Sequence, residues 1–139
     1  MRKIIFGILK SVFPKEYVIE HGTCFDGEKI CWSDEFEDLI CDEENVPFNG
    51  LLYELYNNGN LAYYAFYENG LRNGIDIEFY ISGGIKSYGI FTQGAPAGKS
   101  YEWYENGMIK KTVDHYKGDY HYKYIKYDEN GNITKQGEV

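Results

Sequence analysis

The feature that most constrains this chain is a repeat of 24 residues in its glycines. Glycines recur at this interval in three series, and the longest series is Gly59, Gly83, Gly107 and Gly131. Asn or Ser precedes each glycine of that series. Asn-Gly between strands of alternating apolar and polar residues is typical of a type I′ hairpin turn. A fixed period of about 20 to 50 residues predicts a protein built by stacking one small structural unit.

Each unit is predicted to form a β-hairpin. Residues 75–80 alternate between apolar and polar side chains, which is the period of a strand with one buried face. The return strands are expected at Leu61–Tyr67, Ile85–Phe91, Ile109–Tyr116 and Ile133–Gln136. The composition of the 139 residues, with 15 Tyr and 16 Gly but only 3 Pro, also favours short strands and tight turns. The predicted fold is mainly β, an elongated antiparallel meander of hairpin repeats.

The pleat divides the side chains of these strands between two faces. The core face is predicted to carry the apolar and aromatic residues: Leu51, Tyr53, Leu55, Ile75, Ile77, Phe79, Tyr101, Trp103, Ile125 and Tyr127, with Leu61, Ile85, Ile109 and Ile133 from the return strands. The opposite face is predicted to carry a ladder of carboxylates beside a ladder of phenols: Glu54, Tyr56, Glu78, Tyr80, Glu102 and Tyr104.

This Glu/Tyr ladder has two interpretations. It is either a solvent-facing sheet surface stabilised by cross-strand contacts, or a partner-binding face, because tyrosine offers a large contact area at little entropic cost. Glutamates two strands apart should lie about 10 Å from one another, which is wide for the carboxylate pair of a glycosidase. The ladder therefore does not predict a hydrolase.

The repeat resembles the MORN-type repeat in its bacterial variant, as found in YwqK-type antitoxin or immunity-like proteins. Residues 74–85 (GIDIEFYISGGI) and 98–109 (GKSYEWYENGMI) carry the resemblance best, and residues 50–61 (GLLYELYNNGNL) match it too. The resemblance covers about residues 48–136. It implies an elongated antiparallel sheet and a binding role, often the neutralisation of a cognate toxin, and it offers no catalytic motif.

The net charge of −8 is concentrated in one segment, Asp26–Glu44, which holds nine acidic residues and one basic residue. Such a block is either a solvated face or a surface for a basic protein partner. The candidate partner-binding residues in this segment are Asp34, Glu35, Glu37, Asp38, Asp42 and Glu43. The acidic excess argues against binding of nucleic acid, because phosphate neutralisation needs a basic surface.

Residues 1–47 are predicted to form a small α/β cap, packed as one continuous domain with the repeats of residues 48–139. Apolar residues recur at helical spacing from Ile4 to Phe13, and Pro14 ends the run. A hairpin or a degenerate repeat unit is expected around Asp26-Gly27. A short acidic helix is expected to begin at Ser33, with an apolar stripe of Phe36, Leu39 and Ile40.

The sequence thus predicts a non-catalytic, cytoplasmic protein of bacterial type that binds a toxin or effector protein. No cofactor and no metal is expected, and the three cysteines, which form no CxxC pair, are expected to be reduced. The alternative is a MORN-type scaffold or a lipid-associated protein whose N-terminal helix contacts anionic lipid through Arg2, Lys3 and Lys10. Liposome flotation with and without residues 1–14 would separate these two functions.

Overall fold

A computed structural model describes residues 12–25, 39–116 and 121–139, together with the backbone of residues 30–32. This part of the chain contains one helix, α1 (Lys15–His21), and eleven strands. The strands are β1 (Thr23–Cys24), β2 (Ile30–Trp32), β3 (Ile40–Asp42), β4 (Gly50–Leu55), β5 (Leu61–Glu68), β6 (Leu71–Phe79), β7 (Ile85–Thr92), β8 (Ala95–Trp103), β9 (Ile109–His115), β10 (Lys123–Tyr127) and β11 (Ile133–Glu138). The predicted mainly β fold is confirmed.

Nine of the strands form one sheet in the order β1-β4-β5-β6-β7-β8-β9-β10-β11. From β4 to β11, each strand pairs antiparallel with the next one along the chain. β1 is the exception, because it runs parallel to β4 with Thr23 opposite Leu52. The sheet is therefore mixed, whereas the sequence predicted an antiparallel one. β2 and β3 form a separate antiparallel pair.

Two kinds of turn join the strands of the large sheet, and they differ from the predicted ones. Between β4 and β5, the amide of Gly59 donates a hydrogen bond to the carbonyl of Tyr56 over 2.9 Å. The amide of Tyr56 donates in turn to the carbonyl of Asn60 over 2.8 Å. Gly59 has φ +88°, but Asn58 is not among the residues with positive φ. This geometry is a three-residue loop with glycine in the left-handed position, so the type I′ turn predicted at Asn-Gly is wrong here.

Type I′ geometry occurs instead at the turns between the predicted units. Asn69 and Gly70 both have positive φ (51° and 80°), as do Gln93 and Gly94 (48° and 87°). Each pair is a two-residue loop, since Glu68 pairs with Leu71 and Thr92 with Ala95. They are one residue shorter than the loop at Gly59.

The core lies on one face of the large sheet, where Val18 of α1 packs. Seven residues of the predicted core face are buried, namely Leu51, Tyr53, Leu61, Ile77, Phe79, Trp103 and Ile109. Two predicted core residues are exposed: Leu55 (39 %) next to a register shift at the end of β4, and Ile133 (54 %) on the edge strand β11. Tyr64, which is fully buried, was not predicted for the core.

The helix predicted up to Pro14 lies mostly outside the described residues. Val12 and Phe13 are described, are not helical, and pack against the core. Pro14 precedes α1 as its N-cap, with φ −66°. Proline is compatible with a helix start because its fixed φ suits the helix and its missing N–H has no intrahelical partner there. In the described residues Pro14 thus begins a helix, and the helix predicted before it stays a prediction.

The hairpin predicted around Asp26-Gly27 is not formed by the described strands, because β1 pairs with β4 and β2 pairs with β3. Of the predicted acidic helix, residues 33–38 lie outside the described part. Ile40 begins β3, where it is 4 % exposed and packs with Leu52. Burial against the second face of the large sheet explains why this apolar residue belongs to a strand. The division of the chain at residue 47 stays a prediction.

Candidate partner-binding surfaces

The three glutamates of the predicted ladder lie in one row across the large sheet. Glu54 is opposite Tyr63, and Tyr63 is opposite Glu78. Ser87 then separates Glu78 from Glu102. Directly opposed residues of an antiparallel pair point to the same face, so the three carboxylates share the face opposite the core at a spacing of about 10 Å.

The row continues with three lysines that the sequence analysis did not include in a site. Glu102 is opposite Lys111, Lys111 is opposite Lys126, and Lys126 is opposite Lys135. We call these eight residues the charged row: Glu54, Tyr63, Glu78, Ser87, Glu102, Lys111, Lys126 and Lys135. We call the face that carries them the charged face. None of the eight is buried.

A sequence signal for the charged row exists in two columns of the repeat. Residues 54, 78, 102 and 126 keep the 24-residue spacing, and so do residues 63, 87, 111 and 135. Sequence alone does not show which residue of one column lies opposite which residue of the other. The observed register supplies that information.

The tyrosines of the predicted ladder do not belong to the charged row. Tyr56, Tyr80 and Tyr104 each lie one residue beyond the end of a strand, in the three-residue turns. Their phenols donate hydrogen bonds to backbone carbonyls of the next hairpin: Tyr56 to Phe79 (2.6 Å), Tyr80 to Trp103 (2.6 Å) and Tyr104 to Tyr127 (2.8 Å). The tyrosines therefore connect neighbouring hairpins, and the structure does not bring phenols and carboxylates together as one contact surface.

The acidic segment is described only in part. Asp34, Glu35, Glu37 and Asp38 lie outside the described residues. The carboxylate of Asp42 accepts hydrogen bonds from the amides of Glu44 and Val46, each over 2.9 Å, and so closes the turn after β3. Glu43 is exposed in that turn.

An ion pair lies beside the acidic end of the charged row. Arg72 Nη1 is 2.9 Å from Asp76 Oδ2, in a cavity of about 200 Å³ between β3 and the charged face. Burial raises the pKa of Asp76, and the guanidinium of Arg72 acts in the opposite direction. Burial also raises the pKa of the Tyr63 phenol, and the neighbouring carboxylate of Glu54 adds to that effect.

A second depression, of about 410 Å³, lies at the middle of the charged row. Its lining combines both signs of charge: Glu78, Lys86, Ser87, Ser100, Glu102, Lys111, Val113, His115 and Tyr122. His115 Nδ1 is buried there without a hydrogen-bond partner in the described part of the chain. Such a lining suits a partner surface with charged groups of both signs.

Three observations concern metal ligands, thiols and membrane-spanning helices in the residues that the structure describes. Among them, no group of three or more His, Cys, Asp or Glu side chains could hold a metal ion. Cys24 and Cys41 are free thiols, exposed and buried respectively. Within the same residues, no helix has the length and apolar character needed to cross a membrane.

Comparison with known proteins gives one informative similarity. No family model and no solved structure matches the chain. The chain is 40 % identical over 67 residues to "Immunity protein YwqK" of Bacillus subtilis (strain 168). The match spans 45 % of this chain and 42 % of that protein, so less than half of either is covered. This partial similarity supports the YwqK-type family to which the repeat pattern pointed.

Proposed function

We propose that this chain is an immunity-type protein that binds a toxin or effector protein and thereby neutralises it. The observation that carries the proposal is the 40 % identity over 67 residues to an immunity protein. A long sheet with a polar, charged face is a suitable scaffold for protein binding. The proposal includes a cytoplasmic, non-catalytic role without a cofactor.

The same proposal includes the finer fold prediction, a stack of hairpins of the MORN type. Support comes from equivalent contacts at equivalent positions. The phenol-to-carbonyl bond of Tyr56 recurs at Tyr80 and Tyr104, which are 24 and 48 residues further along the chain. The three-residue loop at Gly59 recurs at Gly83, Gly107 and Gly131.

We place the toxin contact first on the acidic segment, with the side chains of Asp34, Glu35, Glu37, Asp38, Asp42 and Glu43. A concentrated negative charge accelerates association with a basic partner and suits a toxin that binds phosphates. The predicted ladder of Glu54, Tyr56, Glu78, Tyr80, Glu102 and Tyr104 is the second candidate surface. Its glutamates support this assignment better than its tyrosines, because the phenols already bond to the next hairpin.

Co-expression tests the function. The proteins encoded next to this chain in the source genome are each expressed in a heterologous host as toxin candidates, alone and together with the chain. We expect the toxin alone to stop growth, and the chain to restore growth and to co-purify with the toxin. Growth arrest that persists although the chain is soluble and in excess would overturn the proposal.

A charge series tests the surface. Neutralising Asp34, Glu35, Glu37 and Asp38 together, by Asp→Asn and Glu→Gln, should weaken toxin binding and reduce its dependence on salt. The matched control removes four charges elsewhere, from the exposed Glu16, Glu20, Glu105 and Glu129. Equal affinity and equal salt dependence in both variants would exclude the acidic segment as the contact surface while leaving neutralisation itself intact.

A further inference from the structure

The tripeptide Glu-Asn-Gly occurs three times in this chain, at residues 68–70, 105–107 and 129–131. Asparagine followed by glycine is prone to deamidation, because a glycine has no Cβ to keep its nitrogen away from the amide carbon of the preceding side chain. Identical neighbours give the three asparagines the same intrinsic reactivity. A difference between them in the folded chain therefore comes from the structure around each one.

The turn at Asn106 holds the reactive side-chain amide in place. Asn106 Nδ2 donates a hydrogen bond to the carbonyl of Glu129 over 3.3 Å, and Asn106 Oδ1 accepts one from the amide of Met108 over 2.9 Å. The side chain of Asn58 is held by the equivalent pair of bonds. An amide held at both ends cannot rotate towards the nitrogen of the next glycine without breaking these bonds.

Asn130 lies in a turn of the same kind, but its side chain is not held. The amide of Gly131, at φ +89°, donates to the carbonyl of Asp128 over 3.1 Å, as in the other three-residue loops. The carboxylate of Asp128 accepts the amide of Asn132 over 2.9 Å, and so takes the donor that the asparagine side chain binds in the turn at Asn106. The exposed Asn130 is left with a side-chain amide that makes no hydrogen bond to any described residue.

Asn69 is protected in a different way, through the glycine that follows it. Its tripeptide lies in a type I′ turn, where the amide of Gly70 donates to the carbonyl of Phe48 over 2.8 Å. Gly70 is buried beneath the backbone of Ile40. Base therefore has little access to the nitrogen of Gly70, which would be the nucleophile in deamidation.

We propose that Asn130 is a site of spontaneous deamidation, selected by the fold from three identical tripeptides. Base removes the amide proton of Gly131, and the nitrogen then attacks Cγ of Asn130. The new N–C bond closes a succinimide ring, and the side-chain nitrogen leaves as ammonia. Water opens the ring at either carbonyl and gives aspartate or isoaspartate, so the reaction needs no co-reactant except water and base.

The modification would change the hairpin of β10 and the edge strand β11. Either product adds a negative charge beside Asp128 and Glu129, and isoaspartate also inserts one carbon atom into the main chain. This hairpin would therefore carry a chemical mark that increases with the age of the protein. The inference does not rest on the proposed binding of a toxin.

Peptide mapping by mass spectrometry tests the assignment on the full wild-type chain. The chain is incubated at mildly alkaline pH, in buffer and in parallel in urea, and deamidation is followed at Asn69, Asn106 and Asn130. In buffer, Asn130 should react at least about tenfold faster than Asn106, since each hydrogen bond that must break slows the reaction about fivefold. Asn69 should also be slower than Asn130. In urea the three rates should become similar.

The variant Asp128→Tyr tests the cause, because tyrosine stands at the equivalent position of the turn at Asn106. The amide of Asn132 then becomes available to the side chain of Asn130, whose deamidation should slow. Glu129→Gln is the control in the same turn and should leave Asn130 the fastest site. If Asp128→Tyr does not fold, the wild-type rates still decide the assignment.

Three results would overturn the proposal. The first is an Asn130 that reacts no faster than Asn106 in the folded chain. The second is a ratio of the two rates that is the same in urea as in buffer. The third is an unchanged rate at Asn130 in a folded Asp128→Tyr variant.

Discussion

Tyr56, Tyr80 and Tyr104 perform one structural task at a spacing of 24 residues, which is to connect each hairpin to the next through the phenol. Their rings are also approached by cations, as Lys86 lies 5.9 Å from the Tyr80 centroid and Lys110 lies 5.6 Å from that of Tyr104. At the fourth position of the column stands Asp128. Its carboxylate accepts hydrogen bonds from the amides of Asn130 and Asn132 within its own turn.

Tyr80→Phe should lower the free energy of unfolding by about 1 to 2 kcal/mol. The substitution removes one hydrogen bond and leaves the carbonyl of Trp103, in a partly buried position, without that donor. Urea denaturation followed by circular dichroism measures the change. Tyr17→Phe on the exposed side of α1 is the control, and a loss there as large as at Tyr80 would contradict the role assigned to the phenol.

Asp128 makes stability depend on pH in a defined direction. Hydrogen bonds from the turn, above all from the amide of Asn132, lower the pKa of its carboxyl in the folded chain. A group with a lowered folded pKa stabilises above its ordinary pKa, and this contribution is lost as pH falls through the folded value. Asp128→Ala should therefore lower the melting temperature at pH 7, and the difference from wild type should shrink in acid. Glu129→Ala is the control, and a difference that grows in acid would contradict this sign.

At the scale of the elements, the two kinds of turn differ in how much space surrounds their glycine. Gly70 (φ +80°) and Gly107 (φ +85°) have nearly the same φ. A Cβ on Gly70 would lie 2.9 Å from the carbonyl oxygen of Ile40 and 3.0 Å from Leu39 Cβ, whereas a Cβ on Gly107 would meet nothing within 4 Å. The type I′ turn at Gly70 thus also carries the contact between the large sheet and β3.

Gly70→Ala should cost more stability than Gly107→Ala. Both lose about 1 to 2 kcal/mol because alanine disfavours a positive φ. Gly70→Ala should lose more than this, since the backbone of Ile40 must move away. Thermal and chemical unfolding of the two variants measure the difference, and equal losses would show that the close approach of β3 contributes nothing.

Charge reversal at neighbouring positions of β10 should have opposite effects on its two faces. Lys126 lies between two lysines on the charged face, so Lys126→Glu should stabilise the monomer by about 0.2 to 1 kcal/mol. Lys123 lies between Asp114 and Glu138 on the core face, so Lys123→Glu should destabilise it by a similar amount. Unfolding at low protein concentration measures both, and effects of the same sign would contradict the assigned register.

At the scale of the whole molecule, the periodic part of the sequence predicted the sheet well. The four return strands begin at Leu61, Ile85, Ile109 and Ile133, as expected, because alternating apolar residues follow each turn. The turn types were wrong because Asn58-Gly59 and Asn69-Gly70 are the same dipeptide, and the pairing of the flanking strands determines which geometry each one adopts.

The candidate site was harder to predict than the strands. Glu54, Glu78 and Glu102 are recognisable as one column, but the charged row also needs the register that places Lys111 opposite Glu102. The alternation of the pleat placed the tyrosine column on the same face as the glutamates. In the structure, the register shifts after Glu54 and the turn then begins, so Tyr56 lies beyond the end of the strand. β1 pairs with β4 through two residues only, and two residues are too few to show the alternating pattern of a strand in the sequence.

We propose above all that the chain neutralises a toxin by binding it. The most direct test is the activity of the purified toxin identified by co-expression, measured while the purified chain is added in increasing amounts. We predict that the toxin activity falls in a saturable manner and is abolished once the chain is present in a small molar excess. Full toxin activity in a large molar excess of folded chain would contradict the claim.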